Sequence, residues 1–377
     1  MVYLDNAATT RVSEAAAQKA YAMMTQGFGN ASSSHTLGRA AARELETARG
    51  IVARSLGACP DEIVFLSGGT EGDNWALQSG AMLNRRWGKH IISSAAEHDA
   101  VRKTLDSLEA AGFSVTRLRP EPDGSISPES VRSALREDTI LVSLMLVNNE
   151  TGAVTDIAAV SRLLREAAPR ALLHTDAVQA YLKQPLDTRA LDVDLLTVSG
   201  HKVHAPKGIG ALYIKRGVNL PPLLHGGPHE GGRRAGTEAI PNIAAFGTAV
   251  EECRGSLGET MEKLRALRAL AVSRLREENP GLVVIGGGAP QILSVSLPGY
   301  KSEVLLNYLE AREIYVSKSS ACKRGGRSHV LEALALPGPV IDGALRISFS
   351  CMNTLEDVHA LCDALCDARE ELLPARR

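Results

Sequence analysis

Apolar residues in the first 215 positions form short runs that alternate with stretches of helical spacing. Near-continuous apolar runs of this length are typical of strands that are covered on both faces. The runs that predict strands are 62–66, 90–94, 139–147, 171–176 and 194–199. Helices are predicted from Ser13, which is a favoured N-cap residue, and over 36–56. Strands alternating with helices predict an α/β fold with a mostly parallel, doubly wound sheet.

The pattern changes after residue 215. A glycine-rich and arginine-rich stretch over 224–238 leads into two long helical segments. Shorter strand-like and helix-like segments then follow, and the last predicted helix begins near Thr354. This order predicts a smaller α+β domain beside the large one. We place the large domain at 14–256 and the smaller domain at 1–13 and 257–377.

Composition excludes several classes of protein. The chain has 377 residues, 44% hydrophobic and 23% charged, with a formal net charge of -1, so no global charge attracts nucleic acid or an anionic membrane. Apolar runs fall well short of the ~20 residues of a membrane span. The start MVYLDNAATT lacks the features of an export signal. Six scattered cysteines do not resemble a disulfide framework, and we expect a cytoplasmic protein.

The strand over 194–199 delivers a lysine, Lys202, into a tight polar turn with the sequence Ser-Gly-His-Lys. A lysine amine that lies near other cations or in a dry pocket loses its proton and becomes a nucleophile. A solvated loop lysine is the alternative for any single position. We predict that Lys202 binds pyridoxal phosphate as a Schiff base, because its neighbours along the chain suit that cofactor.

Three features of the sequence, which involve four residues, carry this prediction. Gly69 and Thr70 lie between a strand and a helix, a geometry that points backbone N–H groups at an anion. Asp176 ends a predicted strand 26 residues before Lys202, and a carboxylate there would keep the pyridine nitrogen protonated. His98 follows the strand over 90–94, where α/β sheets place ligands, although a structural histidine is the alternative.

The smaller domain contributes a cysteine and an arginine. Cys322 lies among small residues and cations, which favour its reactive thiolate form. The cations are Lys318, Lys323, Arg324 and Arg327. Arg346 stands alone in an apolar strand and needs an anionic partner, a role that a substrate carboxylate would fill. Cys362 and Cys366 share a helix face, where we favour core packing over a metal pair, and we predict no metal site.

Several stretches together resemble one known family. They are YLDNAATT, NASSSHTLG, SGGTEGDN, AEHDAV, VNNETGAV, HTDAVQA, SGHKVHAPKGIGALY, RRAGTE, SSAC, SHVL and LRIS, which run from residue 3 to about 350. The chain resembles the cysteine desulfurases among the class V, fold-type I enzymes that use pyridoxal 5'-phosphate. The SGHK and HTDAVQA stretches are highly specific in combination.

The resemblance implies a role for each matching position. Lys202 would form the link to the cofactor and move the Cα proton, Asp176 would pair with the ring nitrogen, and His98 would stack on the ring. Asn149 and Gln179 would lie near the ring hydroxyl. The implied phosphate ligands are Gly69, Thr70, Ser199 and His201.

The resemblance also implies residues for the partner subunit, the substrate and sulfur transfer. Thr237 would reach the phosphate in the partner subunit, which implies a homodimer. Arg346 with Asn30 would hold the carboxylate of L-cysteine. Cys322 would attack the substrate sulfur, leaving a persulfide on the enzyme and releasing alanine. The sulfur would supply iron–sulfur cluster assembly or tRNA thiolation through an acceptor protein, without direct contact to nucleic acid or membrane.

Two other readings compete with this one. The first keeps the fold and the cofactor but not the sulfur transfer, as in a selenocysteine lyase or an aminotransferase of the same class. The second is a scaffold or a sulfur-responsive regulator without enzyme activity, against which the intact Lys202, Asp176, His98 and Arg346 argue. The segment from Cys322 to Ser328 is short and basic compared with the family, which indicates that an acceptor protein helps to deliver sulfur.

Overall fold

A computed structural model describes residues 1–318 and 326–374 of the chain, in which helices and strands alternate. The strands are β1 (Val2–Tyr3), β2 (Ile63–Leu66), β3 (His90–Ser94), β4 (Ser114–Leu118), β5 (Thr139–Ser143), β6 (Leu172–Asp176), β7 (Leu195–Ser199), β8 (Gly210–Ile214), β9 (Val283–Ile285), β10 (Ile292–Ser296), β11 (Ile314–Tyr315), β12 (Ser317–Lys318) and β13 (Ala344–Ser348). The helices are α1 (Glu14–Thr25), α2 (Thr36–Ser55), α3 (Gly69–Asn84), α4 (Asp99–Ala110), α5 (Pro128–Ala134), α6 (Ile157–Ala167), α7 (Thr188–Leu191), α8 (Ile240–Gly255), α9 (Leu257–Glu278), α10 (Ser302–Glu310), α11 (His329–Ala333), α12 (Gly338–Asp342) and α13 (Leu355–Glu371).

The larger sheet has the strand order β2-β8-β7-β6-β5-β3-β4 within the described residues. Strands β4, β3, β5, β6 and β7 run parallel, whereas β8 is antiparallel to both β7 and β2. Successive side chains point to opposite faces: Ile91 packs with α3 and α4, and Ile92 packs with the core on the other side of the sheet. The predicted mostly parallel, doubly wound sheet is confirmed.

The smaller sheet is antiparallel, with the order β12-β13-β10-β9 in the part of the chain that is described. Its inner face packs with α9, α10 and α13 in a second apolar cluster. Leu4 belongs to that cluster, and β1 pairs in parallel with β11. The N-terminal segment therefore packs with the C-terminal elements before the chain enters α1. The domain boundaries at residues 14 and 257 stay a prediction.

Several element boundaries differ from the prediction. The glycine-rich stretch predicted as a turn before a helix is itself the first turn of α3, which begins at Gly69. The strand predicted over 139–147 ends at Ser143, because the chain beyond it folds back to form a bridge between Val147 and Val154. Strand β4 was not predicted, since it is a half-buried edge strand without a continuous apolar run.

Candidate active site

One cavity of about 360 Å³ opens at the carboxyl ends of β3, β5, β6 and β7. The cavity is lined by Ala7, Ala8, Gly69, Thr70, Asp73, His98, Met145, Val147, Asn149, Glu150, Asp176, Val178, Gln179, Ser199, His201, Lys202 and Arg346. Ligands in open α/β sheets bind outside the carboxyl ends of the strands. Every predicted cofactor ligand except Thr237 therefore lies around a single cavity, together with Arg346.

Lys202 lies on a short 3-10 turn directly after β7. Its half-buried amine donates to the carbonyl oxygens of Ala7, at 2.6 Å, and Ala8, at 2.7 Å. The N-terminal segment is tied to this turn, because the backbone N–H of Thr10 donates to the carbonyl of His201 at 2.9 Å. The amine is thus held at the cavity wall by a segment that packs with the smaller sheet.

Asp176 is the last residue of β6 and is buried beneath the cavity. Its Oδ1 accepts the backbone N–H of Val178 at 2.9 Å. Burial raises the pKa of the Asp176 carboxyl, and the charges of His98 and Lys202 act in the opposite direction. A cationic group bound in the cavity would favour the charged form of this carboxyl.

The amino end of α3 provides an anion site. Gly68, its N-cap residue, offers no side-chain cap, so the first N–H groups of the helix face the cavity end. A Cβ on Gly69 would lie 2.9 Å from Cγ2 of Val178, so a side chain there would close this approach. The Oγ of Ser199 is buried and has no hydrogen-bond partner among the described residues. A phosphate group fits these donors.

His201 and Asn149 shape two other sides of the cavity. Burial, followed by the charge of Lys202, lowers the pKa of His201 to about 4, so its imidazole is neutral at physiological pH. Within the described part of the chain, the buried Oδ1 of Asn149 has no hydrogen-bond partner. Both residues leave polar atoms for a ligand.

His98 is the N-cap of α4, where its Nδ1 accepts the backbone N–H of Ala100 at 3.2 Å. This bond fixes the ring orientation and places the remaining ring proton on Nε2 in the neutral form. The imidazole therefore meets the cavity in a fixed position. Together, the phosphate cradle, the buried Asp176 and the unpaired Asn149 oxygen fit pyridoxal phosphate.

Arg346 on β13 reaches the cavity from the smaller sheet. Its Nη2 donates to Oδ1 of Asp5 at 2.8 Å, and its Nη1 donates to the carbonyl of Asn149 at 3.0 Å. Its Nε is buried without a hydrogen-bond partner in residues 1–318 and 326–374. The chain itself supplies an anionic partner for Arg346 in Asp5. The contact of Arg346 with a substrate carboxylate stays a prediction.

Two of the predicted residues do not line this cavity. Asn30 is exposed, and its Oδ1 accepts the backbone N–H of Ser32 at 2.8 Å. Thr237 is also exposed and does not line the cavity. Cys322 lies outside the described residues. The roles of all three stay predictions.

Sequence reasoning missed Glu150, Asp73 and Asp5. Glu150 lines the cavity, accepts Oγ–H of Ser328 at 2.5 Å, and has its pKa raised to about 7 by burial. Asp73 is buried at the cavity wall, and burial raises its pKa further above the usual range. Glu150 follows the apolar run over 139–147, and Asp73 follows the glycine-rich stretch that ends at Gly72. These positions are the sequence signal that indicates the two residues.

Two kinds of feature are absent from the described residues. Within residues 1–318 and 326–374, no group of three or more His, Cys, Asp or Glu side chains could hold a metal ion. Among the same residues, no helix is long and apolar enough to cross a membrane.

Comparison with known proteins identifies the class. The family model described as aminotransferase class-V matches residues 2–361. A solved structure of a NifS-like protein superposes with a TM-score of 0.93 at 35% identity, covering 98% of this chain and 100% of that one. The chain therefore belongs to the class V aminotransferase family, which confirms the predicted fold class.

Curated relatives narrow this to a group within the class. Cysteine desulfurase IscS from Methanosarcina thermophila is 41% identical over 376 residues, which span 98% of this chain and 92% of the relative. A solved structure of SspA in complex with cysteine is 32% identical with a TM-score of 0.82, covering 94% of this chain and 100% of that one. Within class V, the chain is thus a member of the cysteine desulfurases, as the resemblance predicted.

Proposed function

We propose that the protein is a pyridoxal phosphate-dependent cysteine desulfurase that converts L-cysteine to L-alanine and retains the sulfur as a persulfide on Cys322. The observation that carries this proposal is the placement of the Lys202 amine and the buried Asp176 carboxyl on the same cavity. Membership of the cysteine desulfurases supports the choice of reaction. The alternative, that Lys202 is a solvated loop lysine, does not explain why its side chain lines this cavity.

Different residues would bind the different chemical groups of the cofactor. The amino end of α3 and Ser199 would bind the phosphate, and Asp176 would hold a proton at the ring nitrogen. His98 would stack on the ring. When bound, pyridoxal phosphate withdraws electrons from the Cα of an attached amino acid. Lys202 would remove a proton from that carbon and return it.

Arg346 would bind the carboxylate of L-cysteine. Its guanidinium lies at the cavity with Nε unpaired among the described residues, and arginine binds carboxylates through two parallel hydrogen bonds. The related SspA has been solved with cysteine, which supports an amino acid of this size as the ligand. Asp5 would share the guanidinium with the substrate.

Sulfur transfer would take place at Cys322. Its thiolate would attack the substrate sulfur, so that an S–S bond forms while the C–S bond breaks. The electron pair of the broken bond would remain with the carbon fragment, which takes up protons to become alanine. The cations next to Cys322 in the sequence, Lys323 and Arg324, would favour the thiolate that begins this step.

The wider setting follows from the same resemblance. We propose a homodimer in which Thr237 reaches the cofactor phosphate of the partner subunit. We also propose that an acceptor protein takes the sulfur for iron–sulfur cluster assembly or tRNA thiolation in the cytoplasm. The name of the curated relative, IscS, supports the first of these destinations.

The purified protein with added pyridoxal phosphate tests the cofactor assignment. Borohydride reduction followed by peptide mass analysis should find the cofactor on Lys202. Lys202→Ala should abolish that product, and Lys207→Ala, which changes an exposed lysine nearby, should retain it. A colourless wild-type protein without a reduced adduct contradicts the cofactor reading.

Incubation with L-cysteine tests the reaction. With added thiol, alanine and sulfide should form in equal amounts. Without thiol, Cys322 should gain the mass of one sulfur atom. Cys322→Ala should bind the cofactor but release no sulfide, whereas Cys59→Ala should behave as wild type. Unchanged sulfide release from the Cys322 variant would exclude the persulfide step.

A further inference from the structure

Lys183 is a buried lysine that the cofactor site as described does not use. It follows β6 by one irregular turn and is only 9% exposed. Its Nζ donates to Oε1 of Gln179 at 3.5 Å. Nε2 of the same Gln179 side chain donates to the carbonyl of Ala7 at 2.9 Å, and that carbonyl also accepts the Lys202 amine at 2.6 Å. The side-chain amide of Gln179 thus connects Lys183 to Lys202 through the carbonyl of Ala7.

The amide of Gln179 has a defined orientation because of Lys183. A lysine ammonium carries only donors, so it selects the oxygen of the amide and turns the NH₂ group away. The NH₂ group then meets the Ala7 carbonyl. The reversed amide would set its NH₂ group against the ammonium and its oxygen against that carbonyl, and both hydrogen bonds would be lost.

The surroundings of Lys183 do not neutralise its charge. Within the described residues, no carboxylate lies at ion-pair distance from its amine. Lys183 and Lys202 line the same small cavity of about 30 Å³, and Lys202 also lines the cofactor cavity. The titratable groups that face Lys183 or share this cavity are His201, Lys202, His204, Cys253 and Cys351.

Burial is the main cause that lowers the pKa of Lys183 to about 7, and the charge of Lys202 acts in the same direction. Lys183 is therefore charged below neutral pH and becomes neutral above it. Two ammonium groups that share one small cavity disfavour each other's charged form. The amine of Lys202 accordingly meets a neighbouring charge that depends on pH.

We propose that Lys183 is a positioning residue for Lys202: through Gln179 it orients the Ala7 carbonyl on which the Lys202 amine rests, and its charge eases release of the proton from that amine. The proposal rests on the proposed function, in which Lys202 is the cofactor lysine. Lys183 itself touches neither the cofactor cavity nor the substrate. Lys183 acts by changing the unprotonated fraction of the Lys202 amine.

Labelling of the cofactor-free protein tests this directly. The rate at which acetic anhydride modifies Lys202 is followed by peptide mass from pH 6 to pH 10 in wild type, Lys183→Met and Lys183→Arg. We expect Lys202 in Lys183→Met to react about tenfold more slowly than in wild type at pH 6, since a shift of one pH unit corresponds to a tenfold change in the unprotonated fraction. The two rates should converge above pH 7, where Lys183 of the wild type is neutral. Lys183→Arg keeps a cation and its donors and should stay within about twofold of wild type at pH 6, where Lys183 is also charged.

The rate of pyridoxal phosphate attachment to the same proteins gives a second readout. Lys183→Met should be about tenfold slower than wild type at pH 6, by the same one-unit shift, and the gap should narrow above pH 7 as Lys183 becomes neutral. A merely structural role would slow attachment equally at every pH. Lys183→Met should fold, since methionine has a similar length and a buried charge is removed. Lys183→Gln carries the same prediction if it does not.

The outcomes separate the two proposals. Equal labelling and attachment profiles for Lys183→Met and wild type, with borohydride adducts on Lys202 in both, overturn the role of Lys183 and leave the proposed function standing. A loss in Lys183→Arg as large as in Lys183→Met means that packing alone matters, which also overturns it. A wild-type protein without an adduct on Lys202 overturns both.

Discussion

The guanidinium of Arg346 is ion-paired to the carboxylate of Asp5, with 2.8 Å between Nη2 and Oδ1. The Arg346 side chain is 4% exposed and that of Asp5 is 22% exposed. The pair joins a strand of the smaller sheet to the segment whose carbonyls hold Lys202. The arginine that we propose as the ligand of the substrate carboxylate is therefore already held in place by a carboxylate of the chain.

Asp5→Asn should lower the KM for L-cysteine by about threefold. This is less than the tenfold change in affinity to which ~1.4 kcal/mol corresponds. The asparagine oxygen can still accept from Nη2, while the charge that competes with the substrate carboxylate is removed. Initial rates of sulfide release over a range of L-cysteine concentrations measure this. A higher KM would show instead that the charge of Asp5 is needed to place Arg346 for the substrate.

Ser199→Ala should weaken pyridoxal phosphate binding about tenfold, since a hydrogen bond to a charged group contributes about 1.5 kcal/mol or more. Its Oγ has no partner among the described residues, so stability without cofactor should not change. Equilibrium titration of the cofactor-free protein measures the dissociation constant.

Ser296→Ala is the matched control for the Ser199 experiment. The Oγ of Ser296 donates to the carbonyl of Val340 at 2.7 Å, far from the phosphate cradle. Loss of this hydrogen bond should lower the free energy of unfolding by about 1 kcal/mol without changing the affinity for the cofactor. Equal cofactor affinity in Ser199→Ala and wild type would contradict the phosphate assignment.

Glu97→Gln should stabilise the protein more at pH 8 than at pH 5. Glu97 is 1% exposed, and burial raises its pKa from 4.5 to about 8. Between these values the folded state holds a proton that the unfolded state has released, so this carboxyl makes wild-type stability fall as pH rises. Glutamine removes that dependence, and we expect the gain in stability at pH 8 to exceed the gain at pH 5 by about 3.5 kcal/mol.

Denaturant unfolding at both pH values measures the Glu97 effect. Glutamine keeps an oxygen for the Ser94 hydroxyl and the Met145 N–H, which donate to Oε1 at 2.8 and 3.1 Å. A difference between variant and wild type that does not change with pH would show that Glu97 is ionised in the folded protein at pH 5.

Glu230→Gln should lower the free energy of unfolding by about 3 kcal/mol, because it removes the buried charge partner of Arg49 and leaves only the exposed Glu46. Arg49 donates two parallel hydrogen bonds to Glu230, at 2.7 and 2.9 Å, and both side chains are buried. Asp61→Asn, which breaks the exposed pair with Arg216, is the control and should cause no measurable change. Similar effects of the two variants would contradict the role of burial.

Local patterns were enough to predict most strands and their polar ends. The run over 90–94 is β3, and Ser13 and Thr354 are the N-caps of α1 and α13. Local patterns failed where a long-range contact ends an element. The apolar residues after Ser143 remain buried, but the chain turns back there to bridge with Val154, and apolar character alone does not encode that turn.

The sequence by itself determined the class of fold, the family and the nature of the chemistry, because strand and helix periods are local and the lysine, acid and glycine motifs are contiguous. Only the tertiary structure decided which charges meet. Asp5 and Arg346 are more than 300 positions apart, and Gln179 connects Lys183 to Lys202 through the carbonyl of Ala7. Side-chain partners of this kind depend on how the two sheets and the N-terminal segment pack, and no local pattern records that packing.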